Sequence, residues 1–197
     1  MFEYIGYNAT TLIIEGLNNW NTEKVTNMSS MFNGCNNIIS IPLMNTQKVT
    51  TMASMFQNCY RLTDIPEMDT SAVTSMASMF YCCRSLVNPP KLNTQSVTNM
   101  SSMFYSCSVL AKAPDLNTSN VTTTASMFHS CFRLTEIPNY DLKNVTTFAS
   151  MFNACSSLVK TQSIDASNAT TLDNNYIRFL SENIDIIARY KYIIKRL

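Results

Sequence analysis

Val25-Thr26-Asn27-Met28-Ser29-Ser30-Met31-Phe32-Asn33-Gly34-Cys35 returns five more times along this 197-residue chain, altered in detail but never in length. Met-Phe stands at 31–32, 55–56, 79–80, 103–104, 127–128 and 151–152, a constant step of 24 residues. Val25, Val49, Val73, Val97, Val121 and Val145 each precede a Thr. Ser30, Ser54, Ser78, Ser102, Ser126 and Ser150 precede the Met-Phe pairs, and Cys35, Cys59, Cys83, Cys107, Cys131 and Cys155 follow three residues after each Phe. Ile38, Leu62, Leu86, Leu110, Leu134 and Leu158 come next, then Pro42, Pro66, Pro90, Pro114 and Pro138, a column that Gln162 breaks. One such coil cannot bury its apolar face alone, so like coils must stack on a shared core, and stacking forbids length changes.

Within a unit three pieces are expected. Leu-x-x-Ile-Pro, as in Leu62 to Pro66, reads as a short strand with Leu and Ile inward. Asn45-Thr46 or Asp69-Thr70 reads as a turn, because short polar side chains bond there to the backbone. Val-Thr-x-Met is extended or begins a helix, and Ser then caps a short helix through Met-Phe-x-x-Cys, with Phe32 and Cys35 on one face.

The recurring string of residues 25 to 35 resembles the BspA-like leucine-rich repeats, in the Met-Phe variant of bacterial surface proteins and their mobile elements. The resemblance covers residues 20 to about 163 and recurs six times, which makes it specific. It implies a right-handed leucine-rich-repeat-like solenoid of six 24-residue strand and short-helix units with a parallel sheet on one side. It also implies binding, as in adhesion, rather than catalysis.

Residues 1–19 keep an echo of the repeat in Asn8-Ala9-Thr10-Thr11-Leu12 and are expected to cap the N-terminal end. Residues 164–197 begin a seventh unit and then change to helical spacing: Ile177, Leu180, Ile184, Ile187, Tyr190 and Ile194 form an apolar stripe. That helix reads as a cap, or as a device for self-association or docking on a virion. No basic and apolar leader opens the chain, so it is expected to be cytoplasmic as synthesised, or carried in a phage particle as a decoration or fibre-associated protein. No stretch reads as a membrane span. The net charge of +1, without a basic block, argues against a nucleic-acid partner and leaves a protein or a glycan.

The residues offer little catalytic chemistry. His129 is the one histidine, in a column that otherwise reads Asn33, Gln57, Tyr81, Tyr105 and Asn153, so the repeat does not require it. The 24-residue spacing of the cysteines matches no zinc motif, and no cofactor or metal is expected. Stacked helices would stand too far apart for disulfides, so the repeated thiols are expected to be reduced and buried. Cys82, outside the repeated column, is expected to be the exposed thiol. The Asn-x-Ser/Thr triplets, such as Asn27-Met28-Ser29, follow from a repeat rich in these residues.

The variable positions carry the binding expectation. Just after Met-Phe and just after Cys stand Tyr60, Arg61, Tyr81, Arg84, Tyr105, His129, Phe132 and Arg133, where the first and last repeats have Asn and Ser. Tyr and Arg dominate binding hot spots. Tyr81, Tyr105 and His129 should align into one ridge, with Tyr60, Arg84 and Phe132 in a parallel row; equally, these aromatics could do no more than shield neighbouring coils. Ser40, Asp64, Asn88, Lys112, Glu136 and Lys160 form a second column of mixed charge.

Overall fold

Buried amides must find carbonyls, and in this chain they find them alternately nearby and one coil away. The computed structural model describes residues 20–159 together with 168 and 170. In the first unit the amides of Ser30, Phe32 and Gly34 donate to the carbonyls of Ala53, Met55 and Gln57 in the next coil, at 2.9, 2.9 and 2.8 Å. The amides between them, of Met31, Asn33 and Cys35, donate three residues back to Met28, Ser30 and Phe32. The pattern recurs at Ser54, Ser78, Ser102 and Ser126. It makes a solenoid whose coils are joined by backbone bonds at a fixed register.

This geometry replaces the short helix expected through Met-Phe-x-x-Cys. An α-helix would send every amide four residues back; here a chain of tight turns runs through the segment, and no α-helix is present among the described residues. Among the described residues the Ser column has no helix to cap. Ser30, Ser54, Ser78, Ser102, Ser126 and Ser150 sit at φ of 55–57°, in the left-handed region. A second left-handed position follows four residues later, at Gly34, Asn58, Cys82, Ser106, Ser130 and Ala154. A non-glycine residue pays about 1–2 kcal/mol for that conformation, and the inter-coil hydrogen bond that it aims contributes in return.

The continuous parallel ladder lies at Val-Thr-x-Met. Bridges run from Asn27 through Thr51, Ser75, Asn99 and Thr123 to Thr147. At the Leu-x-x-Ile-Pro stretch, where the strand was expected, only Ser40–Asp64 and Lys112–Glu136 pair among the described residues. Proline, which has no amide hydrogen to donate, explains the weaker ladder there. The Asn/Asp-Thr turns form as expected. The side chains of Asn45, Asp69, Asn93 and Asn117 each accept the amide two residues on, at 3.0–3.1 Å. The buried hydroxyls of Thr46, Thr70, Thr94 and Thr118 donate to a carbonyl of the next coil at 2.8–2.9 Å. The Thr column after Val bonds the other way. Thr50, Thr74, Thr98, Thr122 and Thr146 donate both amide and hydroxyl to the coil before, and Thr170 continues the ladder.

The core is a set of one-residue files. Phe32, Phe56, Phe80, Phe104, Phe128 and Phe152 stack with ring centroids 5.4–6.0 Å apart and planes within 16°. The Val, Met and Leu columns are buried beside them, with Val25 and Met31 of the first unit only partly covered. The fifth unit departs from the pattern: Thr124 stands where Met is usual, its hydroxyl buried and without a hydrogen-bond partner among the described residues. In the same unit Tyr140 takes the place of Met or Leu, lies parallel to Phe128 at 6.4 Å, and donates its hydroxyl to the Pro114 carbonyl at 2.7 Å.

The cysteines form another file. The thiols of Cys59, Cys83, Cys107, Cys131 and Cys155 donate to the carbonyls of Phe32, Phe56, Phe80, Phe104 and Phe128, at 2.9–3.1 Å. All are unbridged, but not for the expected reason. Coils joined by parallel bridges stand about 4.8 Å apart, within the range a disulfide spans; what each thiol meets is a carbonyl. Cys82 is also a correction: it is 8% exposed, and Cys155 is the less covered thiol. At Cys82 the left-handed backbone sends the amide to the Tyr105 carbonyl at 2.7 Å, which draws the residue against the next coil. The expected cap at 1–19 and helix over Ile177 to Ile194 lie outside the described residues.

Replacing Phe104, which is fully buried between two rings, by Ala should cost about 3–5 kcal/mol in denaturant melts; a loss under about 1 kcal/mol would remove Phe104 from the core. Burial, then neighbouring thiols, pushes Cys83, Cys107 and Cys131 well above the ordinary thiol range, and burial carries Cys155 up to about 12. The unfolded chain therefore releases these protons first as pH rises. Stability should hold below about pH 9 and fall above it toward pH 12, measured by melts across that window. In native labelling Cys155 should react before Cys59, Cys82 or Cys107; equal rates would contradict the burial order.

Candidate functional site

The tight turn from Ser to Cys places one variable residue after each Met-Phe pair at the same height on successive coils. Tyr81 and Tyr105 consequently stack with centroids 4.5 Å apart and planes within 9°, and Tyr105 and His129 with 4.5 Å and 7°. The three rings make one ridge, half-buried along its length. The Tyr81 phenol is pushed above its ordinary value, first by its partial burial, then by Cys82 and by its hydrogen bond to Tyr105. Gln57 and Asn153 occupy the same column on the coils beyond each end.

The parallel row is only partly formed. The Arg84 guanidinium lies over the Tyr60 ring, 4.7 Å from its centroid. Ser108 then interrupts the column before Phe132, which is 48% exposed. Arg61, Arg84 and Arg133 are exposed, and Tyr60 is half-buried. Both rows lie on the turn edge that follows Met-Phe, on which Cys82 is covered. Sequence reading missed Val87 and Val159, exposed two residues past Ser85 and Ser157 in a column that mixes Thr with apolar residues. From Ser40 to Glu136 the mixed-charge column is an exposed file, tied at one point by a Lys112–Glu136 ion pair of 2.8 Å, and Lys160 lies outside the described residues. Asp141 and Lys143 form another surface pair at 3.0 Å.

Elsewhere the described surface is shallow. An open groove lies along the Asn/Asp-Thr turns, lined by Leu43, Met44, Asn45, Thr46, Gln47, Glu67 and Asp69. No group of three His, Cys, Asp or Glu among the described residues is placed to hold a metal ion. No helix of the described residues is long and apolar enough to cross a membrane.

A family model described as "Mycoplasma protein of unknown function, DUF285" matches residues 1–113 and again 88–186. The match accords with the BspA-like repeat recognised in the sequence. No curated protein matches. Among solved structures, the leucine-rich repeat protein of T. pallidum is 19% identical, with a TM-score of 0.43 over 66% of this chain and 69% of that one. A leucine-rich cell surface protein of Faecalibacterium prausnitzii is 20% identical, with a TM-score of 0.46 over 75% of this chain and 44% of that one. A leucine-rich repeat protein of Bacteroides ovatus is 14% identical, with a TM-score of 0.37 over 75% and 46%. The chain thus spans less than half the length of the last two.

The ridge is part of the packing as well as of the surface. Tyr105 is stacked on both sides, and an aromatic pair contributes about 0.5–1.5 kcal/mol beyond burial. Tyr105→Ala should therefore cost about 1–3 kcal/mol, more than a free surface residue would, whereas Tyr105→Phe should stay within about 1 kcal/mol. Thermal melts of the two variants decide it; equal and negligible losses would mean that the stack contributes nothing.

Proposed function

We propose that this chain, which belongs to the family described as Mycoplasma protein of unknown function, DUF285, works as a non-enzymatic repeat scaffold that binds a protein or glycan partner. The observation that supports the reading is the three-ring file of Tyr81, Tyr105 and His129. It is rigid because backbone bonds on both sides fix its spacing, so little conformational entropy is lost when a partner docks. Its second row supplies Arg and Phe, and Tyr and Arg are the residue types on which interface energy concentrates. The surface is a ridge on a flat repeat rather than a concave pocket of the kind small-molecule sites use. The alternative of a phage virion component rests on the helix expected over residues 164–197, outside the described residues, and no feature of the described coils favours it.

The test uses photo-crosslinking side chains at two exposed places: position 132 on the ridge edge and position 122 on the Thr column. In cells of the source organism, a partner should be captured from 132 and not from 122. It should be lost when Tyr81 and Tyr105 are replaced by Phe, which keeps the rings and removes the hydroxyls. Equal capture from both positions, or capture indifferent to the two hydroxyls, would move the site away from the ridge.

A further inference from the structure

We infer that the partner of the ridge is a protein that offers an acidic segment, its carboxylates received by the Arg and Tyr edge of the middle coils. This rests on the ridge reading above and deepens it. The first support is charge segregation. Between each Phe of the Met-Phe pairs and the following Ile or Leu, from 33–37 in the first unit to 153–157 in the last, there is no Asp or Glu and no Lys. All the arginines of residues 20–159, Arg61, Arg84 and Arg133, fall on this same turn edge, with His129. Every acid of residues 20–159 lies elsewhere; the nearest in sequence, Asp64 and Glu136, stand beyond the buried Leu62 and Leu134. The chain is close to neutral overall, so the edge is cationic by arrangement and not by composition.

The second support is the orientation of the rings. Stacking at 4.5 Å with planes nearly parallel uses both faces of Tyr105 and the inner faces of Tyr81 and His129. The Arg84 guanidinium covers a face of Tyr60. A sugar ring or a nucleic-acid base would need open aromatic faces on which to stack, and those of the ridge are largely occupied. What remains is the rim: the phenol hydroxyls of Tyr81 and Tyr105, bonded to each other, beside the exposed side chains of Arg61, Arg84 and Arg133. Carboxylates match that rim, because they accept from hydroxyls singly and from guanidinium in pairs.

The experiment titrates the full chain into fluorescein-labelled poly-L-glutamate, an oligo-dT strand and dextran, read by anisotropy. Poly-L-glutamate should bind, weaken as salt is raised, and lose about tenfold in affinity or more in the Arg61→Gln, Arg84→Gln, Arg133→Gln variant. A Lys112→Gln, Lys143→Gln variant, which removes cations from other faces, should bind as the parent does. Absence of poly-L-glutamate binding, equal loss in the two variants, or tighter binding of oligo-dT or dextran would overturn the inference. If the protein captured at position 132 has no acidic segment, the inference falls while the ridge reading stands; if nothing is captured there, the ridge reading falls with it.

Discussion

The hydrogen bond from one coil's amide to the next coil's carbonyl, set at a separation of 23 residues in the Ser-to-Cys segment, is the constraint on which the rest depends. It fixes the coil length, because one residue more or less would carry every file of side chains off its neighbour. It also holds Ser at a left-handed φ that the residue would not choose alone. Once the backbone is registered, the side chains have no freedom left to disagree: Phe meets Phe, each thiol meets a Phe carbonyl, and Thr hydroxyls bond to the carbonyls beside them.

The period and the core were legible in the residues. A constant 24-residue step implies stacking whatever the local conformation, and the Phe, Met, Val and Leu columns are buried as their spacing requires. The conformation between them was not legible. Met-Phe-x-x-Cys with a Ser in front satisfies the pattern of a capped helix. The alternative, alternating local and inter-coil bonds, has no residue signature beyond a Gly at position 34 of one unit. The thiols are unbridged as expected, but the reason given for it failed from the same source, since helices would have separated the cysteines and turns do not. Cys82 was misplaced because it lies outside the repeated column, while its burial follows from a backbone position that the column of Gly34 and Asn58 marks only weakly.

The candidate site was legible to the extent that it follows from the period. Equivalent positions in consecutive coils must be neighbours, so the Tyr81, Tyr105 and His129 file could be read from numbers alone. The broken second row shows the limit of that logic: a file needs every coil to contribute, and Ser108 does not. Ring orientation was invisible in the sequence, and stacking fixes it. Two residues of a type that favours binding, set one coil apart, turn toward each other before they turn toward a ligand.

The direction of the inter-coil bonds gives the solenoid a polarity. At each junction from the first Met-Phe unit to the sixth, four amides of the Met-to-Cys segment point toward the C-terminal neighbour, as Met76, Ser78, Phe80 and Cys82 do toward the coil of Asn99 to Tyr105. Fewer point back at the inner junctions, as Thr98 does to Thr74. Each peptide carries a dipole of about 3.5 D, so this side of the molecule resembles a bar of aligned dipoles with its positive pole toward the C-terminal end. The two ends of such a stack are chemically unlike, one rich in acceptors and the other in donors. A further coil, or any segment that covers an end, therefore has to match it in sense as well as in shape.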